Sequence, residues 1–151
     1  MKKKIYLFWS FPFRLKILFF INVFLCGVAR ISILLLPLAR LAPYFGQFYK
    51  TTTHCTLITP KQHQRARRLG QSIRLAAKYT PWPSTCLTQA LVATFWCKRF
   101  KIPYVLYIGL AKSSEEPSGY AAHAWVTAGP IAMTGGNGLL NFHVISSYSS
   151  I

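Results

Sequence analysis

Two side chains in this sequence stand where covalent chemistry would want them: Cys86, directly behind Ser84-Thr85, and His123, 37 residues further on. The thiolate is the reactive form of cysteine, and it is favoured at a helix N-terminus by unpaired N–H groups and the helix dipole. Ser84 and Thr85 are natural N-caps, so Cys86 falls in the first turn of the helix they open. An imidazole at hydrogen-bond distance would activate that thiol, as an ion-pair partner or as a base. A third group should orient the imidazole, and the chain contains no aspartate. An amide is the usual substitute. Asn137, in the Gly-rich turn 134–138, is the best placed, and Asn141 is second. The same residues also have a plain packing role open to them. A buried cysteine commonly acts as a small hydrophobe, and a lone histidine on an apolar strand as a hydrogen-bonded core residue.

Charge narrows the chemistry further. Eighteen Lys and Arg face two acids, Glu115 and Glu116, for a net charge of +16. Basic groups must therefore be solvated or meet an acidic partner: a membrane surface, nucleic acid, an acidic peptide or an acidic protein. No carboxylate pair is available for general acid/base work, which removes most hydrolase and metal-hydrolase chemistries. The basic groups thin out along the chain, with eight in residues 1–50, six in 51–85 and four in 86–151. They are spread along apolar segments without a nucleic-acid-binding motif, so a nucleic-acid partner is not expected. Cys26, Cys55, Cys86 and Cys97 form no CxxC pair and no zinc spacing, and His54-Cys55 with His63 lacks a fourth ligand. No P-loop is present either, so neither a metal nor a nucleotide cofactor is expected.

The elements that must position these groups follow from periodicity. With 52 % apolar residues the 151-residue chain can build one core without disulfides, and reduced cytoplasmic thiols are the default. Residues 1–50 are dense in large apolar side chains behind Lys2-Lys3-Lys4. The uncharged run over 17–29 is only 13 residues before Arg30, short of the ~20 needed to span a bilayer. Helices packed on the domain or lying at a membrane surface fit this stretch better, with Pro37 and Pro43 ending or bending them. The spacing predicts an amphipathic helix over 62–78, with Ala66, Leu69, Ile73 and Ala76-Ala77 near one face. It predicts a second helix over 86–100, stopped by Ile102-Pro103. Strands are predicted over 104–110, 120–127, 131–133 and 140–145, with a loop at 113–119 and turns at 129–130 and 134–138. Helices first and an antiparallel sheet after them make an α+β domain. The expected organisation is a basic, apolar helical lead-in over 1–59 and a core over 60–151.

The run Trp82-Pro83-Ser84-Thr85-Cys86-Leu87-Thr88-Gln89-Ala90-Leu91, followed by Lys101-Ile102-Pro103, Tyr107-Ile108-Gly109-Leu110 and Ala122-His123-Ala124-Trp125-Val126, resembles the lasso peptide biosynthesis B protein family. The likeness is close over residues 65–137. It implies a transglutaminase-like, papain-related fold and a cysteine peptidase that removes the leader from a ribosomally made precursor. A partner cyclase then closes the macrolactam. Cys86 matches the family's nucleophile and His123 its base. The family's third residue, an Asp some dozen positions beyond the His, has no counterpart in Met133-Thr134-Gly135-Gly136-Asn137. Either Asn137 replaces it or the pair works as a dyad. Residues 1–60 lack the alternation and acid content of a leader-binding domain, so the resemblance implies the split form, with a separate leader-recognition protein.

Overall fold

The computed structural model describes residues 13–50, 55–136 and 141–150. The first helix, α1 (Phe13–Leu35), runs through Arg30 and stops just ahead of Pro37. Leu15–Leu35 is long and apolar enough to cross a membrane by length and composition. A short helix, α2 (Leu38–Phe45), contains Pro43 and ends at Gly46. Next comes a strand, β1 (Gln47–Lys50), inside a stretch expected to be helical throughout. Its place is set by pairing at long range: Gln47 lies opposite Ser149 and Lys50 opposite Ser146. A strand of four residues with no alternation of burial leaves no local signal.

The helix α3 (Pro60–Tyr79) is bounded by a full capping box. Thr59 Oγ1 accepts from Gln62 N–H at 3.3 Å while Gln62 Oε1 accepts from Thr59 N–H at 2.9 Å. Pro60 stands at the first position, where its missing N–H costs nothing. Ala66, Leu69, Ile73 and Ala76 are buried, the face that the spacing predicts. The helix α4 (Cys86–Arg99) is followed by a reversal at Phe100–Pro103 into β2 (Val105–Lys112). The strands β3 (Tyr120–Ala128), β4 (Ile131–Thr134) and β5 (His143–Ser149) complete an antiparallel sheet of order β1-β5-β2-β3-β4. The last strand starts three residues later than its composition predicts and runs four residues further, because Ser146, Ser147 and Ser149 pair with both β1 and β2. The chain is thus an α+β domain: four helices and a five-stranded antiparallel sheet among the described residues.

Side chains alternate across a strand, so the sheet separates two clusters. Leu106, Ala124, Val126 and Ala128 join the core formed with Ala66, Leu69, Ala90, Ala93 and Cys97 of the helices. Val105, Tyr107 and Trp125 form a smaller cluster on the other face, with Phe142 and Val144 packed against it. Between α1, α3 and α4, buried Asn22 donates to Ser72 Oγ at 2.9 Å and accepts from Trp96 Nε1–H at 2.7 Å. A buried amide must be paired, so this triangle fixes how the three helices meet.

Candidate active site

The approach to Cys86 is held rigid from both sides. Thr80 Oγ1 donates to the carbonyls of Ala77 or Trp82 and lies 2.8 Å from Ser84 Oγ. Gln89 Nε2–H donates to the Ser84 carbonyl at 3.0 Å. Thr85 is the N-cap, its hydroxyl accepting from Thr88 N–H at 3.4 Å, and Cys86 is the first residue of the helix. The segment is also pinned to α1. The Trp82 indole lies against Gly27, where a Cβ would stand 2.9 Å from Trp82 Cζ2, so any larger residue there would displace it. Ser84 hydrogen-bonds the Cys26 thiol.

Four free thiols among the described residues offer a choice of nucleophile, and their surroundings separate them. Burial pushes the Cys97 thiol up to about 12, and its Sγ lies 3.4 Å from Met133 Sδ. Burial also raises Cys26, with the Ser84 hydrogen bond opposing in part. Both are therefore kept protonated in the core. Cys55 is exposed in a segment without regular structure. Cys86 alone combines partial exposure with a helix N-terminus, whose free N–H groups are also suited to supporting an oxyanion.

His123 lies in β3, opposite Gly109 of β2. Its ring stacks on Phe142 with centroids 4.8 Å apart, and on Trp125 at 5.8 Å. Its Nε2 is 2.7 Å from the Gly135 carbonyl oxygen. Since a carbonyl only accepts, Nε2 carries the proton, which leaves Nδ1 of the neutral ring as the basic nitrogen. Gly135 stands 12 residues beyond the histidine, in the stretch where the resemblance calls for an acid. Its φ of +78° and the 2.3 Å from its ideal Cβ position to Trp125 Cβ both require glycine. The orienting group found here is thus a main-chain carbonyl. A search for polar side chains passes over it, although the glycine pair in the turn marks backbone able to approach closely.

The expected residues are brought together only in part. The helix α4 packs on β3, and Ala90, Ala93, Ala124 and Val126 share one buried core. No hydrogen bond joins Cys86 and His123 among the described residues. Cys86 packs against the helix-side core, while the imidazole shares the other face with Trp125 and Phe142. At His123, however, β3 has no strand on its β4 side among the described residues, where β4 pairs only with Val126, Thr127 and Ala128. The ring stands at a local edge of the sheet, bordered by the Gly135 turn. Asn137 lies outside the described residues. Asn141 is exposed just ahead of β5. Among the described residues no three His, Cys, Asp or Glu side chains gather as metal ligands.

The site therefore consists of a capped helix carrying a cysteine, packed on an antiparallel sheet whose adjoining strand carries an oriented histidine. The Transglutaminase-like superfamily matches residues 32–147, from within α1 into β5. The chain belongs to that superfamily, which contains cysteine peptidases and transferases. Neither a curated protein nor a solved structure gives a significant match.

Proposed function

We propose that this protein is a cysteine peptidase that removes the leader from a ribosomally made lasso peptide precursor, with Cys86 as nucleophile and His123 as base. The observation that carries the reading is the position of Cys86. It is the partly exposed thiol at the first residue of a capped helix, on a chain of a superfamily that contains cysteine peptidases. The ordered run from Trp82 to Val126 supports the narrower assignment to leader removal.

In the proposed cycle, a leader-recognition partner delivers the scissile peptide over the N-terminus of α4. Imidazole Nδ1 takes the thiol proton, and the thiolate sulfur bonds to the scissile carbonyl carbon. Main-chain N–H groups of the first turn support the oxyanion. The C–N bond breaks, and the imidazolium returns its proton to the departing amine of the core peptide. Water, deprotonated by His123, then hydrolyses the thioester and frees the leader acid. The amine so released is the group a cyclase needs. Because thiol and imidazole lie toward different faces of β3, the cycle requires the ring, at its local sheet edge, to turn toward the N-terminus of α4 when the substrate is seated. The Gly135 carbonyl takes the orienting role of a triad's third member, and Asn137 is its side-chain rival. The reaction belongs on the cytoplasmic side, where precursor and reduced thiols are found, and needs no cofactor from this chain.

The test is a mass-spectrometric assay of precursor and leader-recognition partner with wild type or Cys86→Ala. Release of intact leader by the wild type alone is expected. Equal release by both would end the cysteine reading. A second reading, a membrane accessory without catalysis, draws on the outward apolar face of α1. It expects a Cys86→Ala protein to support maturation as well as the wild type.

A further inference from the structure

The helix α1 exposes large apolar side chains along the face that would meet water. Its outward face carries Phe13, Ile17, Phe20, Phe24, Ile31 and Leu35, with Phe20 62 % and Phe24 69 % exposed. Its inward face buries Cys26 and Ala29 in the core, together with Asn22, which is bonded to Ser72 and Trp96. A helix with one face in water ordinarily carries polar side chains on that outer face. Over its 23 residues the apolar stripe extends about 34 Å. Beside the stripe, a cleft of ≈ 260 Å³ opens between α1, α2 and α4, lined by Leu25, Val28, Leu41, Tyr44, Leu91 and Phe95.

Two observations say what covers this face. The first is packing: α1 backs onto α3 and α4, and α3 exposes Arg65, Arg67, Arg68 and Arg74. Passing α1 across a bilayer as part of this fold would draw those guanidiniums into hydrocarbon, so only one face of α1 is free for lipid. The second is charge. With a net +16 and two carboxylates in the chain, a second copy is repelled, and an anionic surface attracted. We infer that α1 is an interfacial helix, lying parallel to an anionic membrane with its Phe-rich stripe among the acyl chains. The adjoining cleft extends the apolar contact and admits the end of a chain. The transglutaminase-like domain rides above the headgroups. This attachment is independent of the proteolytic reading, and the Cys86→Ala protein retains it.

The full chain is tested by flotation with phosphatidylcholine vesicles, with and without a quarter of phosphatidylglycerol. Binding at least about tenfold tighter to the anionic vesicles, weakened by salt, is expected. Phe20→Glu with Phe24→Glu should lower it about a hundredfold while the circular dichroism melt is retained. Orientation is read without touching the stripe, from Lys16→Cys and Arg40→Cys placed separately in a Cys55→Ser, Cys86→Ala background, which leaves only the buried Cys26 and Cys97. On sealed vesicles, an impermeant maleimide should label both from outside. Labelling of only one end would show a spanning helix and overturn the in-plane arrangement. Absence of vesicle binding, or a dimer in solution that the double Glu variant dissociates while vesicles are ignored, would overturn the membrane occupant.

Discussion

Cys86 and Cys97 stand on one helix about three turns apart, and nothing in their residue type distinguishes them. Cys86 opens α4 behind the Thr85 cap, partly exposed, with the unpaired N–H groups of the first turn beside it. Cys97 closes the same helix against Met133, fully buried, its thiol held protonated by desolvation. The difference teaches that position along the helix, rather than side-chain chemistry, separates a reactive sulfur from a packing sulfur. The helix must offer both, since the packed end anchors the open end on the sheet.

The contrast breaks most sharply at the open end. Cys86→Ala is expected to lower leader release by at least about a thousandfold, with the melting temperature unchanged. Comparable turnover in this variant would make Cys86 a packing residue like its partner. His123→Ala should cost about a hundredfold or more in turnover, the range of a lost general base. A His123→Ala protein with wild-type kcat would dissolve the pair.

The packed end should answer in stability instead. Cys97→Ser buries a hydroxyl beside Met133 and is expected to cost about 1–3 kcal/mol, with turnover per folded molecule retained. It also has a pH signature. Burial raises the Cys97 thiol from its ordinary 9.0 to about 12, so the unfolded chain loses its proton first. The associated stability is complete below about pH 9 and is lost as pH rises toward 12. Chemical denaturation of Cys97→Ala over that window should show a shallower decline than the wild type. The smallest effect belongs to the cap: Thr85→Ala should cost ~1 kcal/mol and loosen the turn that carries Cys86. An unchanged denaturation midpoint would mean that Gln89 and Ser84 hold the turn without it.

Much of this arrangement was legible from local signals. The Thr85 cap ahead of an apolar run placed Cys86 at the first helical residue. The 3.6-residue period of Ala66, Leu69, Ile73 and Ala76 named the buried face of α3. Both signals are physical constraints between neighbours in sequence, which the chain carries wherever it folds. β1 was not legible, because Gln47–Lys50 becomes a strand only by pairing with β5 about a hundred residues later. The Gly135 carbonyl was missed for a related reason. Every residue has a carbonyl, and only the path of the turn brings this one to His123.

The apolar lead-in shows the same division. Composition marked residues 17–29 as an uncharged apolar run suited to packing on the domain or to a membrane surface, yet such a run does not say which side faces inward. Asn22 settles the matter in three dimensions, because its amide finds Ser72 and Trp96 only when the phenylalanines point outward. By itself the sequence determined the α+β class, the cysteine at a helix start and the excess of positive charge. Those properties depend on residue type and near-neighbour spacing. Tertiary structure alone decided which face of each element is covered, which backbone group orients the histidine and which thiol stays protonated. Each of those depends on atoms far apart in the chain meeting at contact distance, where burial and hydrogen bonding set the energies.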